Sequence, residues 1–330
     1  MILGGDVGGT KCNLAVFQQR DGRLIEQSGG RFVSHEFVKF EDVVSKFLRE
    51  AQLPAGSRIT AAGFGVAGPV HEGVAVATNL PWRVDSRSLA ALLQLPSVVL
   101  LNDLEATAHG IAALPPSDLE VLSPGAPGAA GTQAVIAAGT GLGEAGLFWD
   151  GKRHRPFSSE GGHAGFAPNN ALEDALLVYL RNRFSGHVSR ERCVSGMGIR
   201  NIYDFLRDTG RATEEPWLRE AVVKEDAAAV FSRAALERTS PLCVQTLDLF
   251  VSLYGSAAGD LAITLLSTGG VFVAGGIAPK IMPKMRERSF LEAFWAKGRL
   301  RPVLEQMPVR VVLNERVGLY GAARAAAGED

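Results

Sequence analysis

Cysteine is scarce in this chain: three residues of 330, at positions 12, 193 and 243. They form no CxxC pair, so neither a disulfide framework nor a zinc knuckle organises the fold. Neither sign of charge is in excess. Lys and Arg number 34 against 35 Asp and Glu, a formal net charge of -1. No basic stretch with interleaved aromatics occurs, so no nucleic-acid face is expected. No apolar run is long enough to span a bilayer. The most apolar segment, 242–266, is broken by Asp248 and Asp260 and reads as a buried helix. The start shows no basic n-region followed by an apolar one, so no signal peptide, no membrane and a cytoplasmic setting are expected. The Walker pattern GxxxxGK[ST] is absent as well.

What the chain does have is glycine, 38 residues of it, within a composition that is 46% hydrophobic. That suits a large core with many turns, and the length suits two lobes. The chain is organised around Gly4-Gly5-Asp6-Val7-Gly8-Gly9-Thr10-Lys11, flanked by apolar Met1–Leu3 and Leu14–Phe17. This reads as strand, tight glycine turn, strand. Gly8 and Gly9 can adopt positive φ and bring backbone N–H groups to an anion. Asp6 beside such a nest implies an intervening Mg²⁺. The competing reading is a plain hairpin turn. A Rossmann fingerprint is excluded, because a strand follows the glycines and not a helix.

The same device returns later. Apolar Ala134–Ala138, the turn Gly139-Thr140-Gly141-Leu142-Gly143 and apolar Ala145–Trp149 repeat it, which points to an internal duplication. Between the copies, 115–132 is rich in Pro, Gly, Ala and Ser and reads as a connection between lobes. Helical spacing is expected over 41–51, 171–184 and from Ser195. Trp217–Leu236 reads as one mostly exposed helix. Ser240 and Pro241 start a long buried helix that Gly269-Gly270 ends. Strands are expected at 270–274 and 309–313, and a small-residue helix over 317–327.

Several side chains stand where chemistry is expected. Asn102 and Asp103 follow a buried strand, Val98–Leu101, and ligands in open α/β sheets bind at carboxyl ends of strands. Asp103 is a candidate general base and equally a candidate N-cap for the helix after it. Glu160 and His163 lie in a glycine-rich loop suited to a ligand with several hydroxyls; zinc would need further ligands. Glu191, between Arg190 and Arg192, reads from the sequence as a surface ion pair. Gly275-Gly276 after a buried strand admits a flat ring or an ordinary strand-to-helix turn.

Taken together, GDVGGTK at 5–11, TNLPW at 78–82, LNDLEA at 101–106, AAGTGLG at 137–143, SSEGGHAGFAP at 158–168, HVSRERCVSG at 187–196 and GGVFVAGGIAP at 269–279 resemble the zinc-free bacterial glucokinase family of the sugar kinase, actin and heat-shock ATPase superfamily. The resemblance runs over almost the whole chain. It implies an α/β, two-lobed, actin-like (ribonuclease H-like) fold with a duplicated core and a cleft between lobes that closes on glucose. The small lobe would be 1–113 plus 314–330 and the large lobe 114–313. It implies ATP-dependent phosphorylation of glucose at the 6-hydroxyl. Nucleotide would be held by Asp6, Val7, Gly8, Gly9 and Thr10, by Gly139, Thr140, Gly141 and Gly143, and by Gly275 and Gly276, with Mg²⁺ near Asp6 and no zinc. Glucose would be held by Asn102, Asp103, Glu160, His163 and Glu191, with Asp103 as general base. Homodimers are common in the family. The similar repressor, open-reading-frame and kinase (ROK) group carries a cysteine-rich zinc motif that this chain lacks. Alternatives are a kinase for mannose, fructose or an N-acetyl amino sugar, a non-catalytic sugar sensor, and a sugar-free ATPase.

Overall fold

A computed structural model describes residues 1–76 and 82–328. Most of the 78–82 motif lies outside the described residues; Trp82 is within them, buried, its indole N–H donating to Phe37 O at 3.2 Å. The chain divides into two compact units, Met1–Leu119 with Leu147–Ser158 and Asn314–Asp330, and Glu120–Gly146 with Ser159–Leu313.

In the first unit, β1 (Ile2–Val7), β2 (Lys11–Arg20) and β3 (Arg23–Val33) form an antiparallel meander. β4 (Ala61–Val66) runs parallel to β1 on its other side. A small antiparallel sheet follows, of β5 (Val70–His71), β6 (Val74–Val76) and β7 (Arg83–Asp85). β8 (Val99–Asn102) then pairs parallel with β4, giving the order β3-β2-β1-β4-β8. Alternation along the strands serves both faces. Leu3, Leu14 and Val16 pack with Phe40, Val43 and Phe47 of the helix Phe40–Glu50. Ile2, Ala15 and Phe17 pack with Leu319 and Ala323 of the helix Val317–Ala326. Glycine lets that last helix close in: a Cβ on Gly4 would stand 2.9 Å from Leu319 O, and one on Gly63 would overlap Ala322 O. Gly4 thus serves packing.

A second sheet repeats the plan. β9 (Leu119–Ser123), β10 (Gln133–Ala138), β11 (Leu142–Trp149), β12 (His154–Ser159), β13 (Gly270–Ala274) and β14 (Val309–Val312) form one sheet in the order β12-β11-β10-β13-β14-β9. β10, like β1, carries the glycine turn at its end and a parallel partner on its far side. The first five strands match the first sheet position for position, so the duplication is real, and β9 is an addition. The long helix Pro241–Leu265 packs against this sheet, its N-terminus capped by Ser240.

Four expectations are corrected. The stretch 115–132 contains an edge strand, β9, and not only a connection. Trp217–Leu236 is two helices, Pro216–Lys224 and Ala227–Leu236, because Asp226 caps the second by accepting from Ala229 N. The second of them buries Val230, Phe231 and Ala234, so it is no exposed element. The long helix ends at Leu266, in the left-handed region at φ 47°, before the glycines are reached.

Candidate active site

In the first unit the carboxyl ends of β1, β4 and β8 share one edge, since Asp6 pairs with Gly65 and Val66 with Asn102. Asp6 accepts from Asn13 Nδ2 at 3.4 Å, and burial pushes its carboxyl above the usual range against that hydrogen bond. Asp103 comes near the same spot: a Cβ on Gly318 would stand 3.9 Å from Asp103 O and 4.0 Å from Asp6 Oδ1.

The helix cap is Asn102, not Asp103. Asn102 Oδ1 accepts from Leu104 N at 2.8 Å and its amide donates to Gly68 O at 3.2 Å. Asp103 is the first helical residue of Asp103–Ile111, its Oδ1 2.9 Å from the same Leu104 N–H. The cap therefore does not depend on the Asp103 carboxylate, whereas most of the Asn102 side chain is committed to structure.

The first glycine turn is also tighter than a nest requires. Gly8 does not lie at positive φ, and its N–H donates to Lys11 O at 3.0 Å. Its carbonyl accepts from Ser34 Oγ at 2.8 Å, and the Val7 side chain is in the core. The second turn is tied in the same way, with Gly139 N–H on Gly141 O at 2.9 Å and Gly139 also outside the left-handed region. Gly8 thus does not use the positive φ expected of it. What distinguishes Gly139 is space, since a Cβ there would meet nothing within 4 Å.

That space is a cavity of about 750 Å³ within the second unit. Gly139 and Thr140 after β10 and Gly276 after β13 form one side; Gly196 and Met197 at the start of the helix Gly196–Asp208 form another; Asp226, Ser232, Arg233 and Lys280 are among the other lining residues. Two adjacent parallel strands thus end in glycine turns that open on one hollow, the standard ligand position of such sheets. Tyr254 sets both strand ends. Its buried hydroxyl accepts from Ala138 N–H at 3.1 Å and donates to Ala274 O at 3.2 Å. Gly275 stands at φ 84°, where a Cβ would overlap Ala138 O, while Gly276 faces open space. Sequence reasoning missed Ser232 and Lys280 at this hollow and Tyr254 at the strand ends, because isolated polar residues and a tyrosine in an apolar helix carry no signal of their own.

Glu160 and His163 belong to the second unit and are exposed, His163 Nε2 lying 3.9 Å from Glu160 Oε2. Glu191 is not a surface ion pair. Its Oε2 accepts from Leu142 N–H at 3.0 Å, placing the carboxylate on the second glycine turn. The loop with Glu160 is pinned to the turn with Glu191: Phe166 N donates to Val188 O and Arg190 N to Ala164 O, each at 2.9 Å. Glu144, also missed, lies buried beneath, 3.3 Å from Arg190 Nη1. Burial raises its pKa, and Arg190 offsets part of the rise.

A glucokinase family model matches residues 3–329. The chain belongs to the glucokinase family. It is 42% identical to the glucokinase of Nostoc punctiforme over 343 positions, covering 99% of each. It is 35% identical to that of Caulobacter sp. strain K31, covering 98% of this chain and 94% of the relative. The crystal structure of a glucokinase from an Antarctic psychrotroph superposes with a TM-score of 0.85 at 30% identity over 99% of this chain and 98% of that one. A ROK family glucokinase from Streptomyces griseus, solved with glucose and AMPPNP, shares the fold at TM-score 0.67 and 22% identity, with 99% of each chain covered. The fold is the two-lobed sugar kinase fold, and the activity is that of a hexokinase-type phosphotransferase that makes glucose 6-phosphate from glucose and ATP. No helix among the described residues is long and apolar enough to cross a membrane.

Proposed function

We propose that Asp103 is the general base for this transfer, that Asn102, Glu160, His163 and Glu191 bind glucose with it, and that the 750 Å³ cavity takes the adenosine end of ATP. The reading of the cavity rests on one observation: Gly139 and Gly276 close two adjacent strands, yet no protein atom stands where their Cβ atoms would be. Space kept clear on the protein side suits a ligand that lies on the backbone. Asp6, Val7, Gly8, Gly9 and Thr10, with Thr140, Gly141 and Gly143, serve the phosphates in this reading. Gly8 and Gly139 do so without their own N–H groups, which the turns already use. Gly275 shapes the turn that Gly276 presents.

Asp6 suits Mg²⁺. It is a desolvated carboxylate with one hydrogen bond from Asn13, and burial without a cation is unfavourable to its charged form. Bound there through water or phosphate, Mg²⁺ would neutralise charge on the transferring phosphoryl group. The protein's own part is positioning and proton transfer. Asp103 takes the proton of the 6-hydroxyl as that oxygen bonds to the γ-phosphorus and the bond from phosphorus to the bridging oxygen breaks, releasing ADP, while the sugar set holds the hydroxyl in line. The functional lobes in this reading are 1–113 with 314–330 and 114–313. A cytoplasmic homodimer is part of the same proposal, as the family resemblance implies.

The test is ADP release with glucose, mannose, fructose, N-acetylglucosamine and no sugar, each with Mg²⁺ and after chelation by EDTA. Release with glucose that stops on chelation and returns with Mg²⁺ supports the reading. Release without sugar, or undiminished by chelation, contradicts it.

A further inference from the structure

Four buried or half-buried charges stand behind the proposed sugar loop, and no role above uses them. Glu144 lies on β11 two residues after Leu142, whose N–H holds Glu191. Its partner is Arg190, the residue before Glu191. Arg190 Nη2 lies 3.8 Å from Asp260 Oδ2, and Lys297 Nζ lies 2.7 Å from Asp260 Oδ1. The signs alternate along the row Glu144, Arg190, Asp260, Lys297.

The row touches both segments expected to read the sugar. A Cβ on Gly161 would overlap Glu144 Oε2, so the loop from Glu160 to His163 rests on that carboxylate. Ser159 Oγ donates to Glu144 O at 2.9 Å, just ahead of Glu160. On the other side Arg190 fixes the turn that presents Glu191. A buried ion pair is a poor source of stability compared with an apolar pair of the same volume. Its distinctive property is direction, since the planar Arg190 guanidinium turns Nη1 to Glu144 at 3.3 Å and Nη2 toward Asp260 at 3.8 Å.

We propose that Glu144 and Arg190 are positioning residues for sugar recognition: their ion pair holds Glu191 and the Glu160–His163 loop in one register. The proposal rests on the reading of Glu160, His163 and Glu191 as sugar-binding residues. Neither Glu144 nor Arg190 need touch the sugar. Misplacing a group by about 1 Å can cost about 10²-fold, and removing the partner that orients a metal ligand costs about 10- to 100-fold, the scale taken for these sugar ligands.

The experiment compares Glu144→Gln, Arg190→Lys, Arg190→Met, the double variant Glu144→Gln/Arg190→Met, and Glu191→Gln as the control for the underlying reading. Glucose KM, ATP KM and melting temperature are measured for each. Expected is a rise of about 10- to 100-fold in glucose KM for Glu144→Gln with ATP KM unchanged. Arg190→Lys, which keeps charge but loses the fork, should fall between the parent and Arg190→Met. The double variant should be no worse than Arg190→Met alone, as for partners in one interaction. If Glu191→Gln weakens glucose while Glu144→Gln and both Arg190 variants leave it unchanged, the positioning proposal is overturned and the site reading stands. If Glu191→Gln itself spares glucose, the site reading falls and the proposal with it. Equal rises in both KM values across the set would show general loosening and would also overturn the proposal. Should Glu144→Gln fail to fold, the Arg190 pair carries the same comparison.

Discussion

Gly275 and Gly276 are neighbours with opposite reasons for being glycine, and substituting each in turn separates folding from binding. At Gly275 the backbone is left-handed, φ 84°, and a Cβ would overlap Ala138 O. An L-residue there costs about 1–2 kcal/mol from the backbone alone. The clash adds to that, so Gly275→Ala should lower the melting temperature clearly. At Gly276 the backbone is not left-handed and a Cβ meets nothing within 4 Å. Gly276→Val should therefore change stability by no more than about 0.5 kcal/mol, as for ordinary surface substitutions. Its side chain would instead project toward the cavity that Gly276 lines. Overpacking a filled site costs about 1–3 kcal/mol. At 1.4 kcal/mol per decade this is a loss of roughly 5- to 150-fold in ATP affinity. Thermal melts and calorimetric titration with ATP read the two effects apart. The reasoning is refuted if Gly276→Val binds ATP like the parent, or if it is as unstable as Gly275→Ala.

Three further outcomes follow from the same geometry. Asp6→Asn should raise the melting temperature at pH 7 and abolish most activity. A carboxyl whose folded pKa lies above its ordinary 3.8 keeps a proton that the unfolded chain has released, so it costs stability as pH rises through the folded value. The gain from Asn should shrink as pH falls toward 3.8, and melts across that range check the sign. Tyr254→Phe leaves the Ala138 N–H without its 3.1 Å partner between two strand ends. A loss of about 1–3 kcal/mol in denaturant unfolding is expected, with weaker ATP binding. His163→Ala should raise glucose KM by far more than ATP KM, because a site built on hydroxyl partners loses most when a partner goes. An effect on ATP KM alone would move His163 out of the sugar set.

Much of the fold could be read from periodicity and caps. The helix Ala171–Phe184 and the strand Gly270–Ala274 begin and end where the sequence pattern and the glycines put them. Strand β9 could not be read, because edge strands are short and its neighbours are Pro- and Gly-rich. Asp226 was invisible as a helix break, since a cap directly after Lys224 and Glu225 looks like one more charged residue. In the site, the glycine turns were legible as turns and their duplication as duplication. Their φ values were not, because glycine permits the left-handed region without requiring it. Glu191 was misread for a related reason: its neighbours in sequence are arginines, but its partner is the Leu142 N–H, 49 residues away. Asn102 and Asp103 were both legible as site residues, but the sequence put the cap on Asp103 and the structure puts it on Asn102.

That division of labour makes Asp103→Asn the most direct test of the proposed chemistry. Asn102 supplies the cap, and an amide oxygen at 103 can still accept from Leu104 N–H, so the variant should fold and bind ATP normally. It lacks only the proton acceptor, whose loss typically costs on the order of 10² to 10⁴ in rate. Turnover of glucose to glucose 6-phosphate, followed at saturating glucose and ATP, is predicted to fall by at least about 10²-fold while the melting temperature and ATP affinity hold. A kcat near that of the parent in a normally folded variant would contradict the assignment of Asp103 as the base.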